Sequence, residues 1–199
     1  MKKLAIAGAS AVLAAMPVVG VFAADGTLSQ TDTVVVTIDS ACSLATSNTS
    51  GADYTATIAN GAYNTNITGS TFTVTCNDTG GWQLNAIGAG TATGDVTKMD
   101  ASTNTDADDI ATGTTLDGSV SNWAFKIAKG GSDASNITIT TGYDNFSAVP
   151  SQSTKIAQGT STAGNSTIAA TYGVGISATQ SAGTYTGKVT YTLAHPASN

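Results

Sequence analysis

The chain has no arginine, no glutamate and one histidine, and only 7 lysines and 3 prolines in 199 residues. A nucleic-acid or anionic-lipid partner needs clustered cations to displace counterions from phosphate. With 13 aspartates against those lysines, this surface repels both. One histidine leaves no His-based metal site, and a Ser-His-Asp centre would need that ring held by a buried carboxylate. His195 instead stands just before Pro196, in a segment expected to fray. Glu, Arg, Lys and Leu are strong helix formers, and their scarcity argues against a helical fold. Two cysteines permit a single bridge within the chain, and thiolate metal sites need more ligands.

What is abundant is threonine, with 35 residues, and glycine, with 22. Threonine fits a pleated, half-exposed face. The composition therefore reads as all-β, with hydroxyls and amides supplying solubility. The opening MKKLAIAGASAVLAAMPVVGVFA sets two lysines before an apolar run that ends in Val21-Phe22-Ala23. That is the layout of a signal peptide, residues 1–23, cleaved after Ala23. The alternative is an uncleaved anchor, since Leu4–Ala23 is about long enough to span a bilayer. Pro17 and the small-residue exit favour cleavage. Residues 24–199 then form one domain of a secreted bacterial protein, with no membrane contact after cleavage.

Strands announce themselves by period-2 alternation between Gly, Asn, Asp and Ser clusters. The expected runs are 34–42, 54–60, 69–76, 81–88, 96–99, 121–130, 135–141, an edge strand near 155–157, 166–177 and 185–194. Short strands at this spacing without a helix predict an antiparallel β-sandwich. Cys42 and Cys76 both fall on the apolar parity of their strands, and a secreted chain with an even cysteine count reads as disulfide-bonded. Two free thiols are the alternative. The last strand is expected to pair with 166–177 as a hairpin.

VVVTIDSACSL (34–44), TGSTFTVTC (68–76), WQLNAIGAG (82–90), Met99 and SAGTYTGKVTYTL (181–193) stand in the order found in a known group. The chain resembles the spore coat protein U and fimbrial-subunit families. That resemblance implies an incomplete immunoglobulin-like sandwich with one disulfide. It further implies a secreted surface subunit, fimbrial or coat-like, that associates with copies of itself or with other surface proteins. In such subunits the flank of the last strand accepts a strand from a neighbour. The positions that carry this here are Val34, Val36 and Ile38 on the early strand and Tyr185, Val189, Tyr191 and Leu193 on the last. Lys188 is the only charge in 185–193 and no proline interrupts it. An open flat edge of that kind invites aggregation, so the flank is expected to be covered by residues 31–38, in cis or in trans, with cis the default for an isolated chain because the extension ahead of Val34 is short and polar.

The remaining motifs weigh less. Asp78-Thr79-Gly80 matches the aspartic-protease tripeptide, but that chemistry needs two carboxylates sharing a proton. A turn needs nothing further. No catalytic residues are assigned, and no cofactor. Asp100, Asn104, Asp106, Asp108 and Asp109 gather hard oxygen ligands and are the candidate calcium positions. They lack the glycine and glutamate of an EF-hand, and a solvated acidic loop is the plainer reading. Trp82 and Trp123 sit at core parity. Tyr143 and Phe146 lie in a loop and are the candidates for stacking on a sugar. A monomeric carbohydrate- or calcium-binding module is therefore the alternative to a structural subunit.

Overall fold

The structure, a computed structural model, describes residues 35–36, 41–50, 53–90, 94–101, 109–160 and 162–195. It divides the chain into two units, Met1–Thr37 and Ile38–Asn199. In the first, only Val35 and Val36 are described; neither is in a strand and both are exposed. Val34 and Ile38 lie outside the described residues. Among the described residues, no helix is long and apolar enough to cross a membrane.

The second unit is nearly all-β. Its strands are β1 (Cys42–Thr46), β2 (Tyr63–Cys76), β3 (Trp82–Gly88), β4 (Asp100–Ala101), β5 (Ala111–Thr112) and β6 (Asn122–Gly130). They continue as β7 (Ile137–Ile139), β8 (Thr154–Gly159), β9 (Thr162–Gly175), β10 (Tyr185–Thr186) and β11 (Val189–Ala194). One sheet has the order β1-β2-β9-β6-β5 and another the order β11-β3-β8-β7; β10 and β4 form a two-stranded ribbon. All pairs are antiparallel except β5 with β6.

The alternation in the sequence explains the strands it marks. Along β3, Trp82, Leu84, Ala86 and Gly88 are buried, with half-buried residues between them. Along β6, Trp123, Phe125 and Ile127 are buried, and so is Ala124, which the alternation assigns to the outside. Phe72 and Val74 of β2, Ile168 of β9, Leu84 of β3, Ile137 of β7 and Ile156 of β8 belong to one core, so both sheets contribute to it. The disulfide joins Cys42 to Cys76, which are direct register partners on β1 and β2. It fastens an edge strand to the one strand that pairs with it among the described residues.

Several strand expectations fail, and β1 begins only at Cys42, with Val35, Val36 and Ala41 of the expected 34–42 run in no strand. The last strand does not pair with 166–177. β9 is flanked by β2 and β6 on both sides, so the chain crosses to the other sheet and β11 pairs with β3. Residues 96–98 are a turn, because the Asp95 carboxylate accepts hydrogen bonds from the Thr97 N–H at 2.9 Å and hydroxyl at 2.6 Å, and only Met99 of the 96–99 run pairs, as a bridge to Ile110. Such a local bond competes with a strand ladder, and it holds the Asp95 carboxyl below its ordinary range. The run at 155–157 lies in β8, which is paired on both sides rather than at an edge. Residues 54–60 form no strand, and of their apolar parity only Ile58 is even half-buried.

Candidate functional site

The unpaired flanks of β1 and β11 face one groove. Ala89 N–H donates to the Lys188 carbonyl at 2.9 Å. In an antiparallel ladder the hydrogen-bonded pairs alternate with unbonded ones. Lys188, Thr190 and Thr192 therefore turn their backbone groups toward β3. Val189, Tyr191 and Leu193 turn theirs away from it. The same logic holds on the other wall. Ser47 N–H donates to the Thr71 carbonyl and Asn77 N–H to that of Ala41, at 2.9 and 3.0 Å. Cys42, Leu44 and Thr46 thus face away from β2. Among the described residues, no strand pairs with either flank.

The side chains follow from the same pleat. Val189, Tyr191, Leu193 and Leu44 are partly buried against the core, while Thr190, Thr192 and Ser43 are exposed. The groove between these walls has a volume of about 1060 Å³. Tyr172, Trp123, Met99 and Ile110 line its depth. The Tyr172 and Tyr191 hydroxyls share a hydrogen bond of 3.1 Å. Burial, chiefly, pushes both phenols up, Tyr191 well above its ordinary value. The Tyr172 ring fits because its neighbour is Gly69: a Cβ there would lie 2.5 Å from the ring. The last strand is interrupted at Gly187, where a Cβ would meet the Trp123 ring at 2.8 Å and Met99 at 2.9 Å. Tyr185 before the interruption pairs with β4 and Val189 after it pairs with β3.

The structure thus brings Tyr185, Val189 and Tyr191 to one groove, while Leu193, further along the same strand, packs on the core. The other candidate residues are dispersed. Tyr143 packs on the Phe125 ring at 5.5 Å, and Phe146 lies under the Lys126 ammonium at 4.8 Å. Trp82 and Trp123 are both buried, Trp123 with its indole N–H on the Thr97 carbonyl at 2.7 Å. Asp100 sits in β4, and Asp109 accepts the Ala101 N–H at 3.0 Å. Asn104, Asp106 and Asp108 lie outside the described residues.

Sequence reasoning missed one contact. Asp78 is 3% exposed, and its Oδ2 faces His195 Nδ1 at 3.5 Å. Its Oδ1 accepts the Gly80 N–H at 2.7 Å, and its carbonyl accepts the Gly81 N–H at 3.0 Å. The tripeptide is therefore the turn between β2 and β3. The pairing of Ala194 with Gln83 carries His195 onward to the Asp78 side, so this histidine is docked. We expect Asp78→Ala to cost about 1–2 kcal/mol, the worth of a charge-assisted turn bond. Asp78→Asn keeps an acceptor and should cost less. Urea unfolding of the two variants checks this; equal midpoints for both and the parent would refute it.

A scan of protein-family models, a search of curated proteins and a search of solved structures each return no match to this chain.

Proposed function

We propose that the chain is a secreted bacterial surface subunit, fimbrial or coat-like, whose incomplete immunoglobulin-like sandwich is completed by a β-strand from a neighbouring copy. One observation carries the reading. Among the described residues, the edge strands of two different sheets, β1 and β11, leave their flanks unpaired along one groove whose depth holds Trp123, Met99 and Ile110. A strand laid there would pair with the outward groups of Val189, Tyr191 and Leu193 and bury alternate side chains beside theirs. Main-chain bonds would give the affinity and the alternate side chains the specificity, as in strand addition generally. β11 (Val189–Ala194) has no charge or proline along it, so it lacks the usual edge protection. Its threonines face solvent and do not obstruct pairing.

The donated strand is assigned to residues 31–38, TDTVVVTI, with Val34, Val36 and Ile38 entering the groove. Such a contact is heterologous, so copies would add in an open series rather than close as a pair.

The test uses the purified chain and a fluorescent peptide of residues 31–38. Saturable binding and a raised melting temperature are expected. A peptide carrying Val36→Asp should bind more than about tenfold less well, because it places a charge in an apolar groove. No binding, together with a single monomeric mass at every concentration, would sink the proposal.

A further inference from the structure

Residues 53–60 are a second feature of the groove. They carry the alternation of a strand, Tyr54, Ala56 and Ile58 against Thr55 and Thr57, yet lie outside both sheets. They line the groove together with residues of β10 and β11. Tyr54 stands beside Ser70 of β2, past Phe72, the last register partner of β1. The attachment is at the ends. Tyr54 shares a hydrogen bond of 2.8 Å with the Ser70 hydroxyl, and its ring lies 6.3 Å from that of Tyr172. At the other end the Asn60 amide donates to the Gln180 carbonyl at 2.9 Å, and Gly61 N–H to the Ile176 carbonyl at 2.9 Å. Between them only Ile58 packs on the core, and Thr55, Ala56 and Thr57 are exposed.

A segment with a strand's pattern but none of its ladder is held by few contacts and opens at low cost. Its side-chain pins sit at exposed positions, where water competes for each hydrogen bond. Of its apolar parity, Tyr54 nonetheless lies beside the Tyr172 ring and Ile58 packs on the core, both within the lining of the groove. We infer that residues 53–60 are a placeholder: they shield the apolar wall in the isolated chain and are lifted aside by an incoming β-strand, so they slow its entry. Gly61, with φ +72°, stands at the downstream end and supplies a pivot that other residues rarely adopt. The inference rests on the reading of the groove as a strand acceptor.

Two readouts keep the inferences apart. In the free chain, Tyr54→Ala should raise the fluorescence of an apolar-surface dye, and Tyr54→Phe should raise it less. Unchanged dye binding overturns the placeholder. With the 31–38 peptide, Tyr54→Ala should speed uptake roughly tenfold and Tyr54→Phe by a smaller factor, since it keeps the ring and loses the hydroxyl. One uptake rate for all three forms, or slower uptake by Tyr54→Ala, overturns the placeholder and leaves the groove reading intact. No uptake by any form, with the dye response as expected, overturns displacement and the strand-acceptor reading together.

Discussion

Reduction of the Cys42–Cys76 bridge is expected to lower stability by about 3–4 kcal/mol, the chain-entropy value for a loop of this size. The bridge closes a sequence separation of 34 residues. For a domain of this length that is a fall in melting temperature of roughly 10 °C. The location adds a second effect. β1 is a five-residue edge strand held on one side by β2 and, among the described residues, paired with no strand on the other. Of its side chains, only Cys42 and Leu44 are even partly buried. Without the bridge, this strand has little to keep it in place. It is also one wall of the groove, so the reduced protein should take up the 31–38 peptide more weakly than its overall stability loss implies. Urea unfolding of the oxidised protein, the reduced protein and a Cys42→Ala/Cys76→Ala variant measures the first effect. Coincident midpoints for the three would refute it.

The bridge was legible because both cysteines lie in phase with apolar neighbours: Phe72 and Val74 precede Cys76 on one parity. The interior strands were legible for the same reason. Trp82-Leu84-Ala86 and Trp123-Phe125-Ile127 alternate cleanly and are buried as the pattern predicts. Period-2 alternation says that a segment is a strand with one apolar face. It does not say which strand lies beside it. Residues 166–177 and 185–194 are neighbours in sequence with a turn between, so a hairpin was the natural expectation. That expectation omitted β2 and β6, distant in sequence, which take both flanks of β9. The groove is a direct consequence of that crossover, and no local pattern encodes it. Residues 54–60 teach the converse, since they alternate without pairing. The turn at Asp95–Thr97 was the one miss with a readable local signal, an aspartate two residues ahead of a threonine.

Tyr191 is where the fold and the groove meet, and its substitution should have the second large effect. It stands on the open strand β11, yet its ring lies 4.6 Å from that of Phe72 and 6.2 Å from that of Phe125, both in the other sheet. The ring fixes the height of the strand above the core, and so fixes where the outward backbone groups of Val189, Tyr191 and Leu193 are presented. Tyr191→Ala removes these ring contacts and leaves a void, at an expected cost of about 2–4 kcal/mol, somewhat below the range for a wholly buried ring. Tyr191→Phe keeps the ring and loses only the bond to the Tyr172 hydroxyl, about 1 kcal/mol. The two differ again in alkali. Burial first, then the adjacent Tyr172 phenol, pushes the Tyr191 phenol well above its ordinary value of 10.0. An acid whose pKa rises on folding is kept protonated by the native state. Its contribution is intact below pH 10 and is lost as pH climbs from there toward the folded value. The parent should therefore lose stability above pH 10. Tyr191→Phe should lose less, retaining only what Tyr172 and the other phenols contribute. Urea midpoints at pH 8 and pH 11 for the parent and both variants decide it. If the alkaline loss is as large in Tyr191→Phe as in the parent, Tyr191 is not the group held protonated. If Tyr191→Ala unfolds at the parent's midpoint, the edge strand is positioned by something other than this ring.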